Sequence, residues 1–436
     1  STEILLDIFE TAIDNNFKGR KSRATLAALA RTCRTFKEPA LDTLWKNING
    51  FEPLISCLPE GVVERTTEGM LTLTRPLSLS DWNIIDNRVM QALVCTPSSA
   101  LFPNLRCLEW WDEPEYFFPL LRILLVATIR SLKFGSRYPW VPSFAKSSLL
   151  ASLGARCPSI QHFVCDYGGD SDAICELVCG WQGLSYLRTG VLEPPSLHFL
   201  TSLPSLKSLQ FKILDDSDDT QSTLTFSQLD KVDIIAPAHH CFTRRLRNLR
   251  FPSCRSAVLV TMDNDAAFQY EELLELYDES PDIPNFMVSF SECFSPDLEQ
   301  IELDFTQLGE DSGPLVLDFD MVAPLLTFSR LTKLDLNSFS TATIDDDALK
   351  KMAHSWPQLE KFYFGTADHE LVSPSLTFIG LIHLIRHCRH LCDIAMSFCA
   401  SSMDTDCELF SQTIPNEKIT RMRVGISPIA DHVAVA

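Results

Sequence analysis

His383 and His387 stand one helical turn apart, with Cys388, His390 and Cys392 close behind them. Imidazoles at i and i+4 share a helix face, and such pairs are one way that proteins hold zinc. The same histidines also flank the apolar positions of an amphipathic stretch, and Cys388 opens a strand-like phrase. Packing is the simpler reading, and no metal is expected there. His239-His240-Cys241 reads as a loop triplet without a ligand. The run Asp215-Asp216-Ser217-Asp218-Asp219 lacks the spacing and the distal glutamate of an EF-hand, so it reads as a solvated loop rather than a calcium site. The fifteen cysteines form no matched C-x-x-C pairs and are scattered through apolar stretches. That pattern suits buried, reduced thiols of a cytoplasmic or nuclear protein better than a secreted disulfide scaffold. The sequence contains no G-x-x-x-x-G-K-[ST], no G-x-S-x-G and no H-E-x-x-H, and no nucleophile, base and acid can be picked out together. A non-catalytic chain without a cofactor is expected.

The bulk properties point the same way. A chain of 436 residues exceeds one ordinary core, so several domains or a repeat array are expected. Hydrophobic residues make up 45% and charged residues 22%, a globular balance. The net charge of -20 repels phosphate backbones and anionic lipid, so neither a nucleic acid nor a membrane is expected as a partner, whereas a basic protein would be attracted. The apolar run from Leu120 to Ile129 is interrupted by Arg122 and is far shorter than the ~20 residues that span a bilayer. The opening at Ser1 and the absence of a polar cap after the last repeat phrase lead to the expectation of a chain trimmed at both ends.

The elements at the N-terminus read as three short helices. Thr2 can cap the first, in which Ile4, Leu5, Ile8, Phe9, Ala12 and Ile13 form one apolar face; Asn15, Asn16 and Gly19 end it. The second runs from about Ser22 to Cys33 with Leu26, Leu29, Ala30 and Cys33 on one face. The third runs from about Lys37 to Lys46, with Pro39 in its first turn and Leu41, Leu44 and Trp45 as its apolar residues. Three helices of this size cannot bury all these faces among themselves. They form either a cap on the rest of the chain or a surface for a partner.

This segment, Ser1 to Ile48, resembles an F-box, and its wording is closest to F-box proteins of mushroom-forming fungi. The matching positions are Glu3, Ile4, Leu5, Ile8, Phe9, Leu26, Leu29, Ala30, Cys33, Arg34, Phe36, Leu44 and Trp45. The opening Leu-Pro of the motif, which contacts the adaptor in the family, is absent. The resemblance implies docking onto a Skp-type adaptor, and through it a cullin, with Ile4, Leu5, Ile8, Phe9, Leu29, Cys33, Phe36, Leu44 and Trp45 at the interface. It implies a substrate-recognition subunit of an SCF-type ubiquitin ligase whose chemistry is done by other subunits. The alternative is a repeat-protein scaffold whose N-terminal helices only cap the array.

From about residue 101 one phrase recurs, an apolar or proline-containing lead followed by Leu-x-x-Leu-x-apolar. FPNLRCLEW, CPSIQHFVC, LPSLKSLQF, SPDLEQIEL, FSRLTKLDL, WPQLEKFYF and CRHLCDIAM are clear copies, and KITRMRVGI is a weaker one. The leading apolar positions are Leu105, Ile129, Ile160, Leu184, Leu206, Leu229, Val258, Leu298, Leu331, Leu359, Leu391 and Ile419. Most steps fall in or near the ~20–29 residues of leucine-rich repeats. Helical stretches such as Asp345 to Ser355, Phe378 to Cys388 and Ala266 to Asp278 lie between anchors. The expected fold is therefore α/β: a three-helix F-box over 1–48, a linker and first capping repeat over 49–100, and a curved leucine-rich-repeat solenoid of about twelve repeats over 101–436. An irregular, acidic insertion is expected near 263–296. A doubly wound sheet is disfavoured, since only 16 glycines are present and no G-x-G-x-x-G exists.

Strand side chains alternate, so residues between the repeat leucines should face outward on the concave side. This places Glu109, Trp111, Asp166, Glu302, Asp304, Asp335, Tyr363 and Asp393 on a candidate substrate-binding face, together with His162, Lys212, Asp233, Lys333 and Asn337. The strip is mostly acidic with a few aromatics, which suits a substrate protein of basic character.

Overall fold

The computed structural model describes residues 25–49 (excepting 27 and 46), 63–65, 71–73, 102–111 (excepting 103), 121–135 (excepting 122 and 123), 144–165, 171–213 (excepting 193), 223–261, 282–305, 315–365, 374–399, 415–425 and 427. The chain divides into two compact units, Ser1–Gly190 and Val191–Ala436.

In the first unit, helix α1 (Arg34–Trp45) follows a turn in which the Arg31 and Thr32 amides donate to the Ala28 and Leu29 carbonyls. Leu26 and Ala40 are buried, and Leu29, Ala30 and Phe36 pack against them in a small cluster. The helix starts three residues earlier than the sequence suggests, so Pro39 lies in its interior and not in its first turn. Proline has no N–H to give the Thr35 carbonyl. Thr35 is exposed, and water can take that role. The expected helix contacts of Ile4, Leu5, Ile8 and Phe9 lie outside the described residues, as do the side chains of Leu44 and Trp45.

Helix α1 leads directly into strand β1 (Asn47–Asn49), which pairs in parallel with β4 (Cys107–Trp111) in the register Asn47↔Cys107. A short antiparallel pair, β2 (Val63–Arg65) and β3 (Leu71–Leu73), lies between them in sequence. The strand at Asn47–Asn49 differs from the expected boundary, which assigned these residues to the end of the helical segment and a linker. Parallel pairing then continues from β4 to β5 (Ser131–Gly135), β6 (His162–Cys165) and β7 (Tyr186–Val191). Helices α2 (Phe144–Arg156) and α3 (Ser171–Cys179) form the returns. Each strand starts two residues after its anchor, and the anchors Leu105, Ile129, Ile160 and Leu184 are all fully buried. Leu108, Leu132, Phe163 and Leu187 continue the same inward row. The period of two thus turns one apolar face to the core and leaves the other facing outward. No single strand and helix buries that face, whereas stacked copies do.

The second unit repeats the pattern at greater length. Its elements in chain order are α4 (Pro194–Thr201), β8 (Ser208–Lys212), β9 (Leu224–Thr225), β10 (Lys231–Ala236), α5 (His239–Leu246), β11 (Leu249–Arg250), β12 (Ser256–Thr261), α6 (Ile283–Cys293) and β13 (Gln300–Asp304). They continue with α7 (Phe319–Val322), a 3-10 turn (Ala323–Thr327), β14 (Lys333–Leu336), α8 (Asp346–Ser355), β15 (Lys361–Phe364), α9 (Phe378–His387), β16 (Asp393–Met396) and β17 (Arg421–Val424). Strands β8, β10, β12, β13, β14, β15, β16 and β17 pair in that order, all parallel. Both units are therefore strand-plus-helix arrays of the leucine-rich-repeat kind.

Two expectations are corrected here. The anchor of β12 is Cys254, four residues before Val258; the small thiol fills the leucine position and is fully buried. Of the segment expected as an irregular insertion near 263–296, residues 263–281 lie outside the described residues, and the remainder holds α6, whose Ile283, Phe286, Met287, Phe290 and Cys293 are core residues. The helix expected over Ala266 to Asp278 lies outside the described residues.

Aromatic packing explains the solidity of this unit. Phe226 stacks on Phe251 at 5.4 Å between ring centroids, Phe251 on Phe294 at 5.1 Å, and Phe294 lies 4.6 Å from Phe290. Such pairs are each worth about 0.5–1.5 kcal/mol beyond their buried area. Trp181 in the first unit and Trp356 in the second are fully buried, and each indole N–H donates to a backbone carbonyl of the preceding repeat, Cys157 at 3.0 Å and Leu325 at 3.3 Å. The starts of α6, α7, α8 and α9 are capped by Asp282, Asp318, Asp345 and Thr377, each accepting from a backbone N–H two or three residues on. Asp346 ties neighbouring repeats: its carboxylate accepts from the Thr377 amide (2.9 Å), the Thr377 hydroxyl (2.6 Å) and the Gly380 amide (2.9 Å). A Cβ at Gly380 would lie 2.6 Å from that carboxylate, so the close approach requires glycine.

Candidate functional site

The outward row of each strand carries the candidate binding residues, and the register decides which of them meet. In the second unit one row runs Gln300, Lys333, Lys361, Asp393, Arg421, and the next runs Glu302, Asp335, Tyr363, Ala395, Arg423. Glu302, Asp335, Tyr363 and Asp393 thus lie on one strand face, as the alternation requires. Asp304 is exposed at the end of β13.

These residues are not a bare acidic strip. Lys333 forms ion pairs with Glu302 and, at 3.7 Å, with Asp335. Burial pushes the Asp335 carboxyl up, opposed by Lys333 and reinforced by Glu302 and Asp304. The Tyr363 hydroxyl donates to Asp393 Oδ2 at 2.8 Å, and an Arg421 N–H donates to the same oxygen at 3.1 Å. Burial first, and then the bond to Asp393, raises the Tyr363 phenol. The Arg423 guanidinium lies 5.0 Å from the centre of the Tyr363 ring. Asp393 is only 6% exposed, being covered by its neighbours, and its Oδ1 has no hydrogen-bond partner among the described residues. Arg421 and Arg423 were missed in the sequence reading, although they occupy the alternate positions of the weak KITRMRVGI phrase. The same alternation rule applied to that phrase would have found them.

In the first unit, Glu109 and Trp111 lie on the outward row of β4, opposite Lys133 and Gly135 of β5. Trp111 is 43% exposed, and its indole lies across β5: a Cβ at Gly135 would be 2.3 Å from the ring. The Lys133 ammonium sits 4.6 Å from the ring centre, a cation–π contact. Glycine at 135 is what lets a large apolar ring approach the strand this closely while it stays partly exposed. His162 is exposed on β6 beside Tyr186, at 6.2 Å between rings, and Asp166 lies outside the described residues.

At the N-terminal segment, Leu29 and Phe36 are half-buried in the local cluster, and Cys33 is exposed.

The histidines with metal-like spacing are brought together, but as a packed cluster. His354 of α8 and His387 of α9 pack at 3.7 Å between ring centroids, tilted by 34°, and His383 lies 6.4 Å from His387. Burial lowers the pKa of both His383 and His387, and His354, Lys350 and Arg386 lower them further. Cys388 turns inward, its thiol pointing at the Ala353 and Trp356 carbonyls and pushed up to about 12 by burial. Cys157 and Cys254 are likewise pushed up to about 12 by burial, so these thiols are poor nucleophiles. Among the described residues no three histidine, cysteine, aspartate or glutamate side chains are placed to hold a metal ion, and no helix is long and apolar enough to cross a membrane.

No protein-family model matches this chain, and no curated protein matches it. Among solved structures, it is similar to an internalin from Listeria monocytogenes, at 12% identity over 97% of this chain and 94% of that one, with a TM-score of 0.36. It is also similar to the complex of Rad7 and Elc1 from yeast, at 15% identity over 71% of each chain, with a TM-score of 0.31.

Proposed function

We propose that this chain is the substrate-recognition subunit of an SCF-type cullin–RING ubiquitin ligase, acting in the cytoplasm or nucleus. Its N-terminal segment would dock a Skp-type adaptor, its strand face would hold the substrate protein, and catalysis would belong to other subunits. The observation that carries this reading is the F-box-like wording of residues 2–48, from Glu3-Ile4-Leu5 to Leu44-Trp45. The repeat array supports the second half, because parallel strand arrays present long, rigid outward rows suited to protein recognition. The exposed Trp111 platform is the kind of large, low-entropy aromatic contact that anchors interfaces.

One observation favours a second reading, in which the helical segment is only a cap: α1 runs into β1, which pairs with the first repeat strand. Co-expression with a Skp-type adaptor separates the two. The wild-type chain should capture the adaptor, and a folded Ile8→Asp/Phe9→Asp variant should lose it. Failure of the folded wild type to capture adaptor would leave the scaffold reading.

A further inference from the structure

The residue immediately before each strand forms a column along the edge of each array, joined by backbone hydrogen bonds. In the second unit the column begins Lys207, Asp230, Arg255, Glu299, with the Asp230 amide donating to Lys207, the Arg255 amide to Asp230 and the Glu299 amide to Arg255, and it continues through Thr332, Glu360, Cys392 and Thr420. The signs of the first four alternate, and their side chains pair: Lys207 with Asp230 at 3.9 Å and Arg255 with Glu299 at 3.8 Å. In the first unit the same column reads Arg106, Arg130, Gln161, Ser185, with backbone bonds of 2.8 Å at each step. Two arginines thus occupy neighbouring positions on paired strands, whose backbones lie at the ~4.8 Å spacing of a sheet. Among the described residues neither forms an ion pair with a carboxylate.

The two arginines border a cavity of about 430 Å³ whose other lining residues include Thr128, Ser159 and Gln161. Arg106 is held in place: its Nη1 donates to the Thr128 carbonyl at 3.2 Å, and the Thr128 hydroxyl donates to the Leu105 carbonyl at 2.9 Å. That uses one of the five guanidinium N–H groups and leaves the others available. Arg130 is exposed and free to move onto a ligand. A cavity edged by two guanidinium groups that form no ion pair among the described residues, with hydroxyl and amide donors beside them, is complementary to an oxyanion that can take several charge-assisted hydrogen bonds.

We propose that this edge cavity binds a phosphate-type dianion, either free or carried on a phosphorylated side chain of a partner. The inference is independent of the adaptor-docking reading. The test uses the full chain in a titration calorimeter at constant ionic strength, with inorganic phosphate in one arm and a phosphoserine peptide in the other; the unphosphorylated peptide is the control. Variants are Arg130→Glu, which restores the alternating signs seen in the second unit, and Arg130→Lys, which keeps the charge. Circular dichroism confirms that each is folded. The expected result is binding of at least one probe, weakened about tenfold or more by Arg130→Glu and largely kept by Arg130→Lys. Binding of phosphate alone assigns a small-molecule ligand, and binding that requires the peptide assigns a phosphorylated partner. Absence of binding by both probes, or equal binding by the folded Arg130→Glu variant, overturns the proposal.

Discussion

The two units build the same repeat, yet they treat their exposed charged and aromatic groups differently. In the second unit Lys333 is set between Glu302 and Asp335, and Asp393 is held by Tyr363 and Arg421. The first four positions of the pre-strand column there pair cation with anion. In the first unit the corresponding positions leave an open indole at Trp111 and two adjacent guanidinium groups at Arg106 and Arg130. Groups that satisfy one another contribute to order, and exposed groups with bonding capacity to spare are available to a ligand. The contrast places binding capacity in the first unit more than the acidic wording of the strips suggests.

Disrupting the second unit's aromatic stack should have the largest effect. Phe290→Ala removes a ring in contact with Phe286, Phe294 and Phe328 and should cost about 3–5 kcal/mol, read in urea unfolding. A loss below about 1 kcal/mol would mean that the stack does not hold this unit together. Next is Gly380→Ala, which drives a methyl into the Asp346 carboxylate that joins α8 to α9. It should cost about 1–3 kcal/mol, as expected for a disturbed, partly buried hydrogen-bond cluster. Asp346→Ala should cost a similar amount, whereas the exposed Asp347→Ala should be near neutral.

The histidine cluster provides a pH test of the second unit alone. Burial lowers the folded-state pKa of His383 and His387 below the ordinary 6.5. The unfolded chain therefore takes up protons first as pH falls, and stability declines below about pH 6.5 until the folded-state pKa is passed. Above that range the two histidines are neutral in both states and have no effect. His387→Gln should flatten the fall in melting temperature between pH 7.5 and pH 5.5, and an unchanged slope would mean that other groups set it. The smallest stability effect belongs to the first unit: Trp111→Ala should change folding by less than about 1 kcal/mol, because the ring is exposed and its contact with Lys133 is worth about 0.5–1 kcal/mol. The same variant should weaken substrate capture, and full capture would remove Trp111 from the interface.

The repeat phrase made the core legible, because Leu-x-x-Leu-x-apolar states both the strand and its inward row. Where it failed, the reason was size or charge. Cys254 fills a leucine position with a thiol, so the anchor was assigned to Val258. Helix α6 was hidden by the acidic stretch before it, although Phe286 and Phe290 carry the helical spacing. Asp393 was identified as outward-facing, but its burial under Tyr363 and Arg421 depends on neighbours some thirty residues away in sequence, which no local pattern reveals. The Arg106 and Arg130 pair was likewise invisible, since each lies beside a strand and only the register brings them together.

Hydrogen exchange over residues 25–45, with and without a Skp-type adaptor, tests the central claim most directly. If this segment docks the adaptor, its amides exchange readily in the free chain, and those around Leu29, Cys33 and Phe36 become protected when adaptor is added. Strong protection in the free chain that the adaptor leaves unchanged would contradict the account and make the segment a cap.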